Sequence, residues 1–98
     1  MPVDFTMHLE DAEGKEGASA TFTCTVNDDE LPVTWYINGK VVKPTKKYAI
    51  TAKGFTHTLT INNLTPADTN AEVTCVIGDK KSAAKLTVKG KRHILSSK

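Results

Sequence analysis

The sequence predicts an all-β domain built as a two-sheet sandwich or a barrel. Apolar and polar residues alternate in short runs along the chain, turn residues separate these runs at spacings of about ten residues, and no segment shows a helical stripe. Short strands at this spacing are typical of antiparallel sandwiches and barrels. The chain of 98 residues is long enough for one domain with a modest hydrophobic core.

Two strands are predicted in the N-terminal part. Phe5, Met7 and Leu9 alternate with other residues and indicate a first strand that turns these three side chains to one face. In the run ASATFTCTV, Ser19 and the threonines share one face, and the other face is formed by Ala18, Ala20, Phe22, Cys24 and Val26. Because threonine is common in strands, this run predicts a half-buried second strand.

The middle of the chain predicts a hairpin. In the run PVTWYINGKVV, Val33, Trp35 and Ile37 lie on one face, and the run then reaches Asn38-Gly39. Asn-Gly between two apolar runs is the strongest short signal for a hairpin, because both central residues of its turn need positive φ.

The later runs KYAI, HTLTI, AEVTCVI and AKLTV continue the alternation. Their predicted inward residues are Tyr48, Ile50, Leu59, Ile61, Ala71, Val73, Cys75, Ile77, Ala84, Leu86 and Val88. The segment LTPADT predicts a single helical turn. Seven or eight strands result, and the alternation ends where the chain turns basic. We therefore expect a domain over residues 1–90 and a basic tail or linker over residues 91–98.

Composition and motifs exclude several function classes. A net charge of +2 does not suit a strong binder of polyanions, and apolar stretches of only a few residues cannot span a bilayer. The N-terminus has no basic segment followed by an apolar one, so no secretory signal is predicted. No phosphate-binding loop, nucleophile elbow or zinc-protease motif occurs, and no serine has a histidine placed to activate it. We expect no enzyme activity, no cofactor and no small-molecule substrate.

One constellation narrows the fold. Cys24, Trp35 and Cys75 share the inward parity of their strands, which in a sandwich places one cysteine on each sheet with the indole beside the pair. This spacing resembles that of immunoglobulin domains, and EGASATFTC, VTWYINGKVV and HTLTINNLTPADT resemble the second, third and fifth strands of the intermediate set. The resemblance covers the chain from about Phe5 to Lys89. It implies a Greek-key antiparallel sandwich whose first strand pairs parallel with its last, so that the termini leave opposite poles.

The resemblance also assigns structural residues. It makes Leu64 the apolar plug of the corner after the fifth strand and Asp68 the acid of that corner, with Leu59 and Leu86 in the core. Where such domains carry a tyrosine two residues before the second cysteine, this chain has Val73, so the tyrosine corner is absent. The strand AEVTC followed by GDKKSAAKLTV is similar to domains of giant muscle proteins, the titin, obscurin, twitchin and myosin-binding protein C group.

The cysteine pair has three readings. A Cys24–Cys75 disulfide would close a long loop and stabilise the fold by roughly 4 kcal/mol in the chain-entropy model. In a reducing compartment, the two thiols would pack as small apolar groups. A reactive thiol needs a partly exposed site near positive charge, which inward parity disfavours. The disulfide and the dithiol both stay open.

Histidines and acids are assigned to the surface. The histidines are His8, His57 and His93. None is spaced from another as a metal-ligand pair, so surface positions are expected. Asp28, Asp29 and Glu30 form an acidic loop that offers calcium only an incomplete ligand pattern, which favours a solvated loop.

The lysines around the hairpin and a possible glycosylation site each have two interpretations. Lys40, Lys43, Lys46 and Lys47 form a basic run that phosphates or acidic partners would recognise. No aromatic residues interleave with them to stack bases. Exposed lysines on edge strands also prevent aggregation between sheets, and this role is favoured over binding of phosphates or acidic partners. Asn63 begins a glycosylation sequon that would carry a glycan in a secreted protein, but the corner itself requires the same residues.

The expected function is that of a non-catalytic structural or protein-interaction module in a large cytoskeletal protein of the sarcomere. In the cytoplasm it would act as a spacer, elastic element or docking site. It would be monomeric in isolation, with adjacent immunoglobulin-like modules or cytoskeletal proteins as partners and no nucleic acid. The alternative is an extracellular adhesion or receptor domain with a Cys24–Cys75 disulfide.

Overall fold

A computed structural model describes residues 2–28 and 30–90. Its strands are β1 (Phe5–Met7), β2 (Ala12–Lys15), β3 (Ala20–Val26), β4 (Thr34–Ile37), β5 (Lys40–Val41), β6 (Tyr48–Lys53), β7 (Thr56–Ile61), β8 (Ala71–Ile77) and β9 (Lys80–Lys89). A short 3-10 helix spans Pro66–Asp68, within the segment predicted to form a helical turn. The expected basic tail at residues 91–98 lies outside the described residues.

The strands form two sheets that enclose one core. One sheet has the order β1-β3-β7-β6 and the other the order β2-β9-β8-β4-β5. Within the described residues every strand pairing is antiparallel except that of β2 with β9. The predicted all-β two-sheet sandwich is confirmed, although the structure has nine strands where seven or eight were expected.

Strand β2 lies in the segment AEGKEG, whose glycines and charged residues predict a turn between the first two predicted strands. Its residues, AEGK, show little apolar alternation, because it is an edge strand held by backbone pairing to β9. The register runs in parallel from Ala12 opposite Leu86 to Lys15 opposite Lys89. The expected parallel pairing with the last strand is therefore present, but it involves the second strand rather than the first.

Strand β1 does not have the single inward face that was predicted. Phe5 and Leu9 are buried, whereas Met7 is 61% exposed. The register of β1 against β3 shifts between Phe5 and Met7, and Leu9 donates its N–H to Ser82 Oγ of β9 at 3.0 Å. The chain thus crosses from one sheet to the other between β1 and β2, and this crossing breaks the alternation on which the prediction was based.

The core fills the space between the sheets. It consists of Phe5, Leu9, Ala20, Phe22, Cys24, Val26, Trp35, Leu59, Ile61, Leu64, Ala71, Val73, Cys75, Ile77, Ala84 and Leu86. From β3 onward, all of these except Leu64 of the corner are inward residues that the alternation predicts. Ala18 was also expected to face inward but is exposed, because β3 begins at Ala20. The other predicted inward residues are only partly buried against the core: Val33, Ile37, Tyr48, Ile50 and Val88. Because β2 and β9 run parallel, the chain enters the sandwich at one end and leaves it at the other.

Candidate functional site

The centre of the sandwich brings Trp35 and the two cysteines together. Strand β3 carries Cys24 in one sheet, and the register of β4 with β8 places Trp35 directly opposite Cys75 in the other sheet. All three residues are at most 1% exposed. The Sγ atoms lie 3.6 Å apart, and both cysteines are free thiols.

These thiols have no access to a substrate. The contact with Cys24 and the burial of the site raise the pKa of the Cys75 thiol, so that it stays protonated at neutral pH. Both thiols have zero exposure, which leaves packing as the role that the geometry supports. Trp35 Nε1 is also buried, and it has no hydrogen-bond partner within the described residues, so packing alone holds the indole in place.

Leu64 closes the corner that follows β7. It is 1% exposed, its N–H donates to Ala18 O at 3.0 Å, and its C=O accepts from Gly17 N at 2.7 Å. A Cβ atom placed on Gly14 would collide with Leu64 Cδ1. Gly14 in β2 therefore leaves the space that the leucine fills, a role that the predicted turn did not reveal.

Asp68 lies at the half-buried surface of this corner. Its Oδ2 atom accepts hydrogen bonds from Lys47 Nζ at 2.7 Å, Thr65 N at 2.9 Å and Thr65 Oγ1 at 3.2 Å. Lys47 Nζ also donates to Asn63 O at 3.3 Å. Burial opposes ionisation of Asp68, but the bonds from Lys47 and Thr65 outweigh it and lower the pKa of the carboxyl. We call Lys47 and Asp68 the corner ion pair.

Two hydrogen bonds, each donated by a backbone N–H group, join the corner to β9. Val88 donates its N–H to Thr69 Oγ1 at 3.0 Å, and Asn70 donates its N–H to Leu86 O at 2.7 Å. Val73 is fully buried on β8 and offers only an aliphatic side chain. Val73 therefore supplies no hydrogen bond here, and the polar bonds at this corner come from Thr69, Asn70 and the corner ion pair.

The prediction of a surface position is wrong for His57. This side chain is 6% exposed and lies on the inward face of β7 with Leu59 and Ile61, directly opposite Cys24 of β3. Neither ring nitrogen has a hydrogen-bond partner within the described residues, and burial lowers the pKa of the imidazole. The parity of His57 matches that of Leu59 and Ile61, and this signal could have located it on the inward face.

The predicted basic run does not form one patch. Lys47 is turned to Asp68, and Lys46 is exposed in the loop before β6. Lys40 and Lys43 line an open groove of about 510 Å³ beside the β4–β5 hairpin. Of the four lysines, Lys40 and Lys43 share this concave surface.

The other polar candidates lie at the surface. Asn63 is exposed and adopts a positive φ of 51°. Asp28 accepts the N–H groups of Leu31 and Glu30, which lower the pKa of its carboxyl, and Asp29 lies outside the described residues. In residues 2–28 and 30–90, no cluster of acids, histidines and cysteines suits a metal ion. The same ranges contain no helix long and apolar enough to cross a membrane.

Comparisons with known proteins agree with this architecture. The chain is 34% identical over 89 residues to the muscle M-line assembly protein unc-89 of Caenorhabditis elegans, covering 87% of this chain and 1% of that protein. It is 35% identical over 89 residues to the human slow-type myosin-binding protein C, covering 89% and 8% respectively. The chain thus spans less than a tenth of the length of these muscle proteins.

A solved structure and a family description complete the comparison. Domain I10 of titin superposes with a TM-score of 0.86 at 31% identity, covering 91% of this chain and all of that domain. Titin domains therefore share both the sheet arrangement and part of the sequence. The family model of the immunoglobulin I-set domain matches residues 3–88 of this chain. The chain belongs to the immunoglobulin I-set family.

Proposed function

We propose that this chain is a non-catalytic structural and protein-interaction module of a large cytoskeletal muscle protein, placed in series with similar modules in the sarcomere. The observation that carries the proposal is the parallel pairing of β2 with β9. It directs the incoming and outgoing chain to opposite ends of the sandwich, as a serial module requires. The similarity to muscle proteins many times longer than this chain supports the same reading.

The pairing of β2 with β9 also gives the module a way to resist tension. When the two ends of the domain are pulled apart, parallel neighbouring strands slide along each other, and their backbone hydrogen bonds are loaded together rather than one after another. Four residue pairs connect β2 to β9, and Glu16 adds an N–H bond to Lys89 O at 2.9 Å. Spacer and elastic roles both depend on this resistance.

The burial of both thiols supports a packing role without catalysis. The sarcomeric relatives support a cytoplasmic location. Cytosolic proteins keep such thiols reduced. Titration of native protein from its source tests this part: two free thiols are expected, and a quantitative Cys24–Cys75 disulfide would favour the extracellular alternative.

Single-molecule unfolding of a tandem array of this domain tests the mechanical part. Glu16→Pro removes the N–H that bonds Lys89 O and should lower the unfolding force. The matched control is Thr51→Pro in β6, an edge strand of the other sheet that lies away from the loaded pairing. A force that fell equally in both variants, or fell in neither, would contradict a mechanical role for the pairing of β2 with β9.

A further inference from the structure

A groove runs along the outer edge of the β4–β5 hairpin, toward the loop before β6 and the corner after β7. Its volume is about 510 Å³. Ile37, Val42 and Tyr48, all half-buried and packed against the core, line it together with buried Ala71. Val41, at 54% exposure, belongs to the same lining. The groove therefore offers an apolar surface that is open to solvent.

The charge at this groove is positive. Lys40 and Lys43 line it, and neither belongs to an ion pair within the described residues. The register places Lys40 opposite Ile37, on the face of the sheet that is turned toward the core. The acid that lines the groove, Asp68, is already held by Lys47 at 2.7 Å. The lysines therefore lack a negative partner of their own.

The backbone beside the groove is also available. Strand β5 is the outermost strand of its sheet. Val42 donates its N–H to Trp35 O of β4 at 2.8 Å, and backbone groups alternate in direction along a strand. The N–H and C=O of Val41 therefore point away from β4, where an additional extended segment would meet them.

We propose that this groove binds an extended acidic peptide segment that carries small aliphatic side chains. Carboxylates of the segment would pair with Lys40 and Lys43, its aliphatic side chains would cover Val41 and Ile37, and its backbone would extend β5. This inference rests on the docking role proposed above and gives the partner a chemical class.

A nucleic acid fits the same groove less well. Tyr48 is the one aromatic residue in its lining, so the groove offers no series of rings on which bases would stack. The single arginine of the chain, Arg92, lies outside the described residues, and the lysines at the groove are point charges without the planar fork that suits phosphate.

The test uses the chain labelled with 15N and three probes in amide-resolved NMR titrations. The probes are an acetylated octapeptide Glu-Val-Val-Glu-Glu-Val-Val-Glu, which as a strand presents both residue types on each face, the same peptide with Gln in place of Glu, and an octamer of deoxythymidine. The acidic peptide should shift the amides of Ile37, Val41 and Val42 and bind at least tenfold more tightly than the Gln peptide. Lys40→Glu with Lys43→Glu should weaken that binding at least tenfold.

The matched control is Lys80→Glu with Lys81→Glu, at the start of β9 and the opposite end of β8 from the groove. This variant should bind the acidic peptide as the unchanged chain does. The thermal midpoints of both double variants verify that they fold. Equal binding of the Gln peptide, shifts confined to other strands, or no shifts at millimolar peptide would overturn the proposal. Tighter binding of the DNA octamer at the same amides would replace it with a polyanion site. None of these outcomes alters the unfolding force, so a failed groove remains distinguishable from a failed structural module.

Discussion

At the centre of the sandwich, Trp35, Cys24 and Cys75 are almost excluded from water, and the indole N–H has no partner within the described residues. At the corner after β7, Lys47 and Asp68 keep 30% and 18% of their side-chain surface and are held by directed polar bonds. The centre thus depends on the shape and volume of apolar groups, whereas the corner depends on distances between charged and polar atoms.

This difference determines how each region responds to change. Removing volume from the centre leaves a cavity that the surrounding strands cannot close, because both sheets are pinned by their backbone ladders. Removing a charge from the corner exposes the remaining partner to water, which solvates it at little cost. Substitutions at the centre should therefore destabilise the fold much more than substitutions at the corner.

Trp35→Ala should have the largest effect, a loss of roughly 3–5 kcal/mol in the free energy of unfolding, as large aromatic truncations in cores do. Denaturant unfolding followed by circular dichroism measures it. The control is Phe55→Ala, because Phe55 is 47% exposed and should change stability by less than about 1 kcal/mol. If the unfolding midpoint of Trp35→Ala hardly moved, the indole would not be the packing centre described above.

The centre could be predicted from the sequence because its signal is local. Alternation within β3, β4 and β8 is enough to place Cys24, Trp35 and Cys75 on inward faces, because successive side chains of a strand point to opposite faces of the sheet. The same parity pointed inward at His57. There the residue type, which is usually found at the surface, misled the prediction.

The corner could be predicted only in part. Leu64 and Asp68 were expected from the resemblance to immunoglobulin domains, but the partner of Asp68 lies 21 residues earlier in the chain, in a loop without periodicity. Strand β2 was missed for a related reason: its partner β9 is far along the chain, and backbone pairing leaves no mark in side-chain type. Long-range polar and backbone contacts of this kind carry no local sequence signal.

The contact between Gly14 and Leu64 is the next largest test, and it probes packing at the corner's apolar side. Gly14→Ala should cost about 1–3 kcal/mol, because the added methyl group collides with Leu64 Cδ1. Leu64→Ala should cost about 2–5 kcal/mol as a buried truncation. Denaturant unfolding of the double variant should give a loss smaller than the sum, since the alanine methyl enters the space that the leucine leaves. Strictly additive losses would show that the two residues do not share this space.

The corner ion pair should contribute less. A double-mutant cycle with Lys47→Met and Asp68→Asn, measured by denaturant unfolding at pH 7, should give a coupling energy of about 1 kcal/mol for a partly exposed pair. The folded-state pKa of Asp68 is lowered, so its stabilisation is complete above the pKa of the unfolded chain and is lost as the pH falls toward the folded value. The coupling should therefore vanish in acid.

The pair Lys89–Glu13 is the control for this cycle. Its atoms lie 3.2 Å apart, but its side chains are 63% and 57% exposed. The coupling energy of Lys89→Met with Glu13→Gln should be close to zero, because water screens both charges. Equal coupling in the two pairs would show that burial at the corner adds nothing.

His57 extends the comparison to pH. Burial lowers the pKa of its imidazole in the folded state below the value of about 6.5 that the unfolded chain retains. The unfolded chain then binds the proton more readily, so stability is complete above that value and declines as the pH falls through it, by at most about 1.4 kcal/mol per pH unit for one proton. Unfolding free energies of the parent and of His57→Leu, measured between pH 7.5 and 5, should diverge in this way, with a flatter curve for the leucine variant. If the two plots of unfolding free energy against pH were parallel, protonation of the buried imidazole would cost no stability. The apolar interior would then accept a positive charge as readily as the polar corner does.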